Sequence, residues 1–139
     1  MNDRPILVTG ATGYIGGRLV PRLLAEGYRV RAMGRSMAKL ACRPWSHHEH
    51  IELFEGDVLD AGAMTRAADG CRAAFYLVHS MIAAKGKFAD ADRTGARNMV
   101  RAAAQGGLSQ IIYLGGLGKV TDRRISHHSS SSPKVGEIL

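Results

Sequence analysis

Cysteine is scarce in this 139-residue sequence, where Cys42 and Cys71 are the only two. Two are too few for a disulfide framework, so both read as free thiols of a reducing compartment. Long apolar runs are missing as well. Although 45% of the residues are hydrophobic, none of the runs approaches the roughly 20 apolar residues that a helix needs to cross a bilayer. A secretory leader is not seen either, because Ile6-Leu7-Val8 runs straight into glycine. A soluble, cytoplasmic chain with no membrane partner is expected. Acidic residues are outnumbered, giving a net charge of +7, and none occurs between Glu26 and Glu49. An aromatic-rich basic stripe and zinc-finger spacing are both lacking, which disfavours nucleic acid as the partner of that charge. His47, His48 and His50 near Cys42 match no established zinc pattern, so residues 40 to 50 read as an exposed loop and no metal is expected.

What the chain does have is PILVTGATGYIGG at residues 5 to 17. Ile6 to Thr9 is a short apolar strand, and a helical pattern begins near Tyr14. A strand entering a helix through such a turn aims backbone N–H groups and the positive end of the helix dipole at one spot. An anionic pyrophosphate belongs there. Gly10 permits the tight turn, Gly13 leaves room for the phosphates, and Gly16 lets the helix approach the strand. Ala11, Thr12, Tyr14 and Ile15 complete the candidate dinucleotide site. Residues 1 to 40 hold seven Lys or Arg against Asp3 and Glu26, so five of the seven excess charges surround this turn.

The rest alternates strand and helix. Tyr14 to Gly27 is helical with Pro21 inside it, where a hydrogen bond or the straightness of the helix should suffer. Tyr28 to Met33 is the second strand. Arg35 and Ser36 follow it, with Lys39 one turn on, where an NAD-preferring site usually places an acidic residue. A guanidinium and a hydroxyl suit a 2′-phosphate, so NADP is preferred over NAD, the alternative for Arg35 being a solvated loop charge. Ile51 to Phe54 is a third strand. Asp57 and Val58 beyond it either border an adenine ring or cap the next turn. A short helix follows from its N-cap Asp60, and Ala73 to Val78 reads as a strand buried on both faces. Leu77, Val78 and His79 lie at the rim where open α/β sheets bind ligands, His79 either touching cofactor or substrate or serving as a structural histidine. A long helix then places Phe88, Ala91, Gly95, Met99 and Ala102 toward the core, with Arg93, Arg97 and Arg101 outward, before a fifth strand at Ile111 to Leu114. The expected fold is α/β: a doubly wound parallel sheet of order 3-2-1-4-5 over residues 1 to 118. Residues 119 to 139 are polar and flexible, ending in the start of a helix at Lys134.

TGATGYIGG, Arg35, Asp57-Val58, the Gly95-Ala96-Arg97-Asn98 helix and IIYLGGLG together resemble the extended and atypical branches of the short-chain dehydrogenase/reductase superfamily. LVHSM at 77 to 81 and KVGEIL at 134 to 139 resemble its NmrA-like members. The resemblance implies a Rossmann domain lined by the residues named above, and an oxidoreductase or epimerase/dehydratase-like activity on a small-molecule substrate. It also exposes departures. Active members carry Tyr-x-x-x-Lys, whose lysine lowers the tyrosine pKa for acid–base work. Here Tyr14, Tyr28, Tyr76 and Tyr113 are followed four residues later by Arg18, Ala32, Ser80 and Leu117. A non-catalytic, NADP-sensing regulator of the NmrA-like type is therefore the alternative expectation. The family's substrate region is missing too, so the sequence reads as truncated, with an apolar fifth-strand edge that favours a homo-oligomer.

Overall fold

The computed structural model describes residues 3–77 and 86–113. Five parallel strands form one sheet: β1 (Ile6–Thr9), β2 (Val30–Gly34), β3 (Ile51–Glu55), β4 (Ala73–Tyr76) and β5 (Gln110–Tyr113). Their order is β3-β2-β1-β4-β5, as the alternation of elements predicts. Helices α1 (Tyr14–Ala25), α2 (Met37–Ala41), α3 (Ala61–Ala68) and α4 (Gly86–Gly106) connect them, with a 3-10 turn at Pro44–His47. Val78 and His79, the segment 114–139 with its expected terminal helix, and the side chains at 88 and 91 lie outside the described residues.

Pleating divides the apolar residues between two cores. Leu7 and Met33 join Met64, Ala74 and Met99 beneath α3 and α4. Ile6, Val8 and Val30 turn the other way, onto Val20, Leu24, Leu40 and Trp45 beneath α1 and α2. A strand covered on both sides has no solvent face to mark with polar residues, which is why ILVT and AAFY carry no alternation.

Chain ends of the helices explain where the strands start. Gly27 adopts a positive φ of 93°, its N–H bonds the Leu24 carbonyl, and the Tyr28 N–H bonds the Leu23 carbonyl. This pair of bonds closes α1 in a Schellman motif. Tyr28 thus belongs to the helix exit, and β2 begins at Val30, two residues later than its sidedness suggests. Pro21 has no N–H for the Gly17 carbonyl, yet α1 is one helix from Tyr14 to Ala25. Asp60 caps α3 as expected, its Oδ1 accepting from the Ala63 N–H at 3.1 Å.

One stretch departs from expectation. Residues 40 to 50 are not a wholly exposed loop, because Leu40 and Trp45 are buried in the α1-side core. Five residues apart, these two side chains pin α2 and the 3-10 turn onto the sheet, and burying an indole and an isobutyl group outweighs the loop's polar character.

Candidate functional site

Three glycines shape the β1–α1 turn, and the structure gives them different reasons. Gly10 has a φ of 71°, a left-handed conformation that side chains resist. A Cβ on Gly16 would run into the Gly10 carbonyl oxygen and stand 2.8 Å from the Ala11 Cα. Both are demanded by the fold. Gly13 is not: a Cβ there would meet only the Gly10 oxygen, at an ordinary 3.4 Å. Its bareness serves the exposed side of the turn.

The turn is braced from below. The Ala11 side chain is fully buried and its N–H bonds the Met33 carbonyl at 3.1 Å, so Ala11 contributes shape rather than an outward group. The Gly13 N–H closes on the Gly10 carbonyl at 3.0 Å. Gly13 is the N-cap of α1 and offers no side-chain cap. The first-turn N–H groups of Tyr14, Ile15 and Gly16 have no intrahelical acceptor by geometry, and among the described residues no side chain caps them. A 12-residue helix ending bare on the surface is a site for an anion. Tyr14 is 75% exposed there, with the Arg18 guanidinium 4.3 Å above its ring.

The neighbouring strand ends supply the surround. Arg35 is exposed directly after β2, and beside it the Ser36 hydroxyl accepts from the Lys39 N–H at 3.2 Å, capping α2. Asp57 accepts from the Leu59 N–H at 2.9 Å, so its side chain builds the turn after β3. Val58 is buried and its carbonyl accepts from the Asn98 amide at 2.8 Å. Leu77 lies half-buried at the end of β4, its N–H donating to the Thr9 hydroxyl at 3.1 Å, and that hydroxyl donates to the Phe75 carbonyl. Thr9 therefore ties β1 to β4 at the point where the chain's crossovers change direction, the place where ligands of open α/β sheets lie.

Sequence reasoning missed three contributors. Glu55, opposite Gly34 in register, sends Oε1 to within 3.2 Å of the Met37 N–H and brings a carboxylate to the corner of Arg35 that the local sequence lacks. Arg43 donates to the Thr12 carbonyl at 2.6 Å from 31 residues away. Asn98 holds Val58 from α4, 40 residues on. Parallel register and the glycine fingerprint signal the first region, but nothing local to residues 43 or 98 announces their partners. Cys71 is chemically quiet: burial pushes its thiol from 9.0 up to about 11, against the pull of the Arg31 guanidinium.

A doubly wound parallel sheet with this bare, uncapped turn at its first crossover is a Rossmann domain that binds a dinucleotide. A family model described as NAD(P)H-binding matches residues 10–139, and the chain belongs to that family, within the short-chain dehydrogenase/reductase superfamily. It is 32% identical over 119 residues to cinnamoyl-CoA reductase 1 of Oryza sativa subsp. japonica, covering 83% of this chain and 35% of that protein. It is 30% identical over 118 residues to a 3 beta-hydroxysteroid dehydrogenase/isomerase of Mycobacterium tuberculosis, covering 78% of this chain and 30% of that one. The chain thus spans about a third of the length of these relatives. Among solved structures, an NADPH-dependent quinone oxidoreductase of Escherichia coli complexed with NADPH superposes with a TM-score of 0.74 at 23% identity, over 96% of this chain and 45% of that one. Triphenylmethane reductase of Citrobacter sp. gives 0.75 at 20% identity over the same shares, 96% and 45%. These likenesses carry the fold. No helix among the described residues is long and apolar enough to cross a membrane.

Proposed function

We propose that this chain is the cofactor-binding part, residues 1 to 118, of a cytoplasmic NADP(H)-dependent oxidoreductase of the reductase or epimerase/dehydratase-like kind. Gly10 to Gly16 carry the pyrophosphate, Arg35 and Ser36 meet the 2′-phosphate, and Asp57, Val58 and the end of β4 from Leu77 border the rest of the dinucleotide. The observation that supports this most is the uncapped start of α1 above Gly13, a glycine that packing does not require. Reductases and dehydrogenases among the relatives agree with it. Tyr-x-x-x-Lys does not occur in these 139 residues.

Arg35 provides the test. In fluorescence titrations, Arg35→Ala should weaken NADPH binding by about tenfold or more, the size expected when a charge-assisted hydrogen bond is lost, while NADH affinity stays nearly unchanged. Equal NADPH affinity in both proteins would remove the 2′-phosphate role of Arg35. Failure of the wild type to bind either nucleotide would remove the function itself.

A further inference from the structure

Asn98 is buried on α4, and its side-chain amide reaches a stretch of irregular backbone. Its Nδ2 donates to the Val58 carbonyl at 2.8 Å, 40 positions earlier in the chain. Three residues before it on the same helix, Gly95 lies against Val58: a Cβ there would stand 3.2 Å from Val58 Cγ2. Residues three apart share a helix face. Helix α4 thus meets Val58 at two points, leaving room for its side chain and tying down its carbonyl. Burying an amide is costly unless it is bonded, and so is leaving a buried carbonyl without a donor. The amide at position 98 answers the carbonyl at position 58.

The Val58 carbonyl and the Leu59 N–H belong to one planar peptide group. Asn98 holds the oxygen of that group, and Asp57 Oδ1 accepts its N–H at 2.9 Å. The Asp57 carbonyl accepts from the Asp60 N–H at 2.9 Å, which closes the turn. A chain of bonds therefore runs from the Asn98 amide, through one rigid plane, to the Asp57 carboxylate. Linked hydrogen bonds polarise one another, and the plane between them passes on orientation as well. Among the described residues, Asp57 Oδ2 has no partner. An acceptor held in one direction, on a half-buried residue just past the C-terminal end of β3, suits a donor on a ligand.

Resting on the cofactor reading above, in which Asp57 and Val58 border the dinucleotide, we propose that Asn98 is a positioning residue for recognition of the adenine base. It fixes the peptide between Val58 and Leu59, that peptide orients the Asp57 carboxylate, and Oδ2 accepts from the exocyclic amino group of adenine. Asn98 itself touches no part of the nucleotide. Hypoxanthine carries a carbonyl oxygen in place of that amino group, so it sets an acceptor against the carboxylate.

The experiment titrates the whole chain with NADPH and with its hypoxanthine analogue by fluorescence, and follows thermal unfolding of each variant. The wild type should bind NADPH about tenfold more tightly than the analogue, the size expected for one hydrogen bond to a charged group. Asn98→Ala should shrink that preference to about twofold. Asn98→Ser, with a donor on a shorter arm, should keep an intermediate preference, and it decides the matter if the alanine variant does not fold. In an Asp57→Ala background, Asn98→Ala should leave the remaining preference unchanged, because the two residues act in series. Equal weakening of both ligands with the preference intact would overturn the proposal and leave Asn98 as a brace between α4 and the loop. An unchanged preference with unchanged affinities would overturn it too, as would a further loss of preference in the Asp57→Ala background. A wild type that binds both nucleotides equally would overturn it while the cofactor reading stands; one that binds neither would remove both.

Discussion

On the α1 side of the sheet, Gly16 lets a helix descend onto the backbone of its own entry turn, where a Cβ would strike the Gly10 oxygen and the Ala11 Cα. On the α4 side, Gly95 lets a helix descend onto the Tyr76 hydroxyl, with a Val58 methyl 3.2 Å from the same added carbon. The two approaches use one residue type for different purposes. Backbone crowded at Gly16 cannot yield without deforming the turn, so the packing of α1 and the shape of the turn are a single property. Side-chain atoms crowded at Gly95 can be trimmed, so the packing of α4 can be altered with the glycine turn left intact. What surrounds a glycine, more than the glycine itself, separates a site from a core.

Substituting these glycines puts that contrast at risk. Gly16→Ala should cost about 3 kcal/mol of stability, the upper part of the range for overpacking against rigid neighbours, and should abolish NADPH binding. Urea unfolding followed by nucleotide titration of the folded fraction measures both, and a stable variant that still binds would break the link between packing and site. Gly95→Ala should cost less, about 2 kcal/mol, and removing the crowding oxygen with Tyr76→Phe should return part of it in the double variant. Strictly additive losses would show that the hydroxyl is not the obstacle. The smallest effect concerns the two thiols. Exposed Cys42 should react with a thiol reagent at pH 8, whereas buried Cys71 should react only on unfolding. The folded chain keeps the Cys71 proton up to about 11, while the unfolded thiol releases it near 9.0. Stability should therefore decline as pH climbs through that window, with no contribution from this group below it. A Cys71→Ser variant showing the same alkaline decline would assign it elsewhere.

Much of the architecture was legible because it is local. Glycine after an apolar run marked the turn, Asp60 marked the start of α3, and Gly27 and Gly70 marked stops that have positive φ in the fold. The alternation of elements was enough for the sheet order. What stayed hidden is what depends on distant parts meeting. Trp45 reads as a loop residue until Leu40 and α1 are packed around it. Arg43 is eight positions past Arg35, with no local sign that its guanidinium would return to Thr12. Glu55 faces the Arg35 corner only because β3 pairs with β2 residue for residue. Ala11 belongs to the fingerprint by sequence, yet its methyl faces the core and its N–H faces β2.

The Thr9 hydroxyl reaches both Phe75 and Leu77, the latter 68 positions downstream. A ribosome therefore delivers the glycine turn long before it delivers the strand that holds that turn in place. Closing so wide a loop is an entropic burden that falls late in synthesis. A nascent chain shorter than about 77 residues has β1 flanked by β2 alone, and the second flank of that strand arrives only with β4.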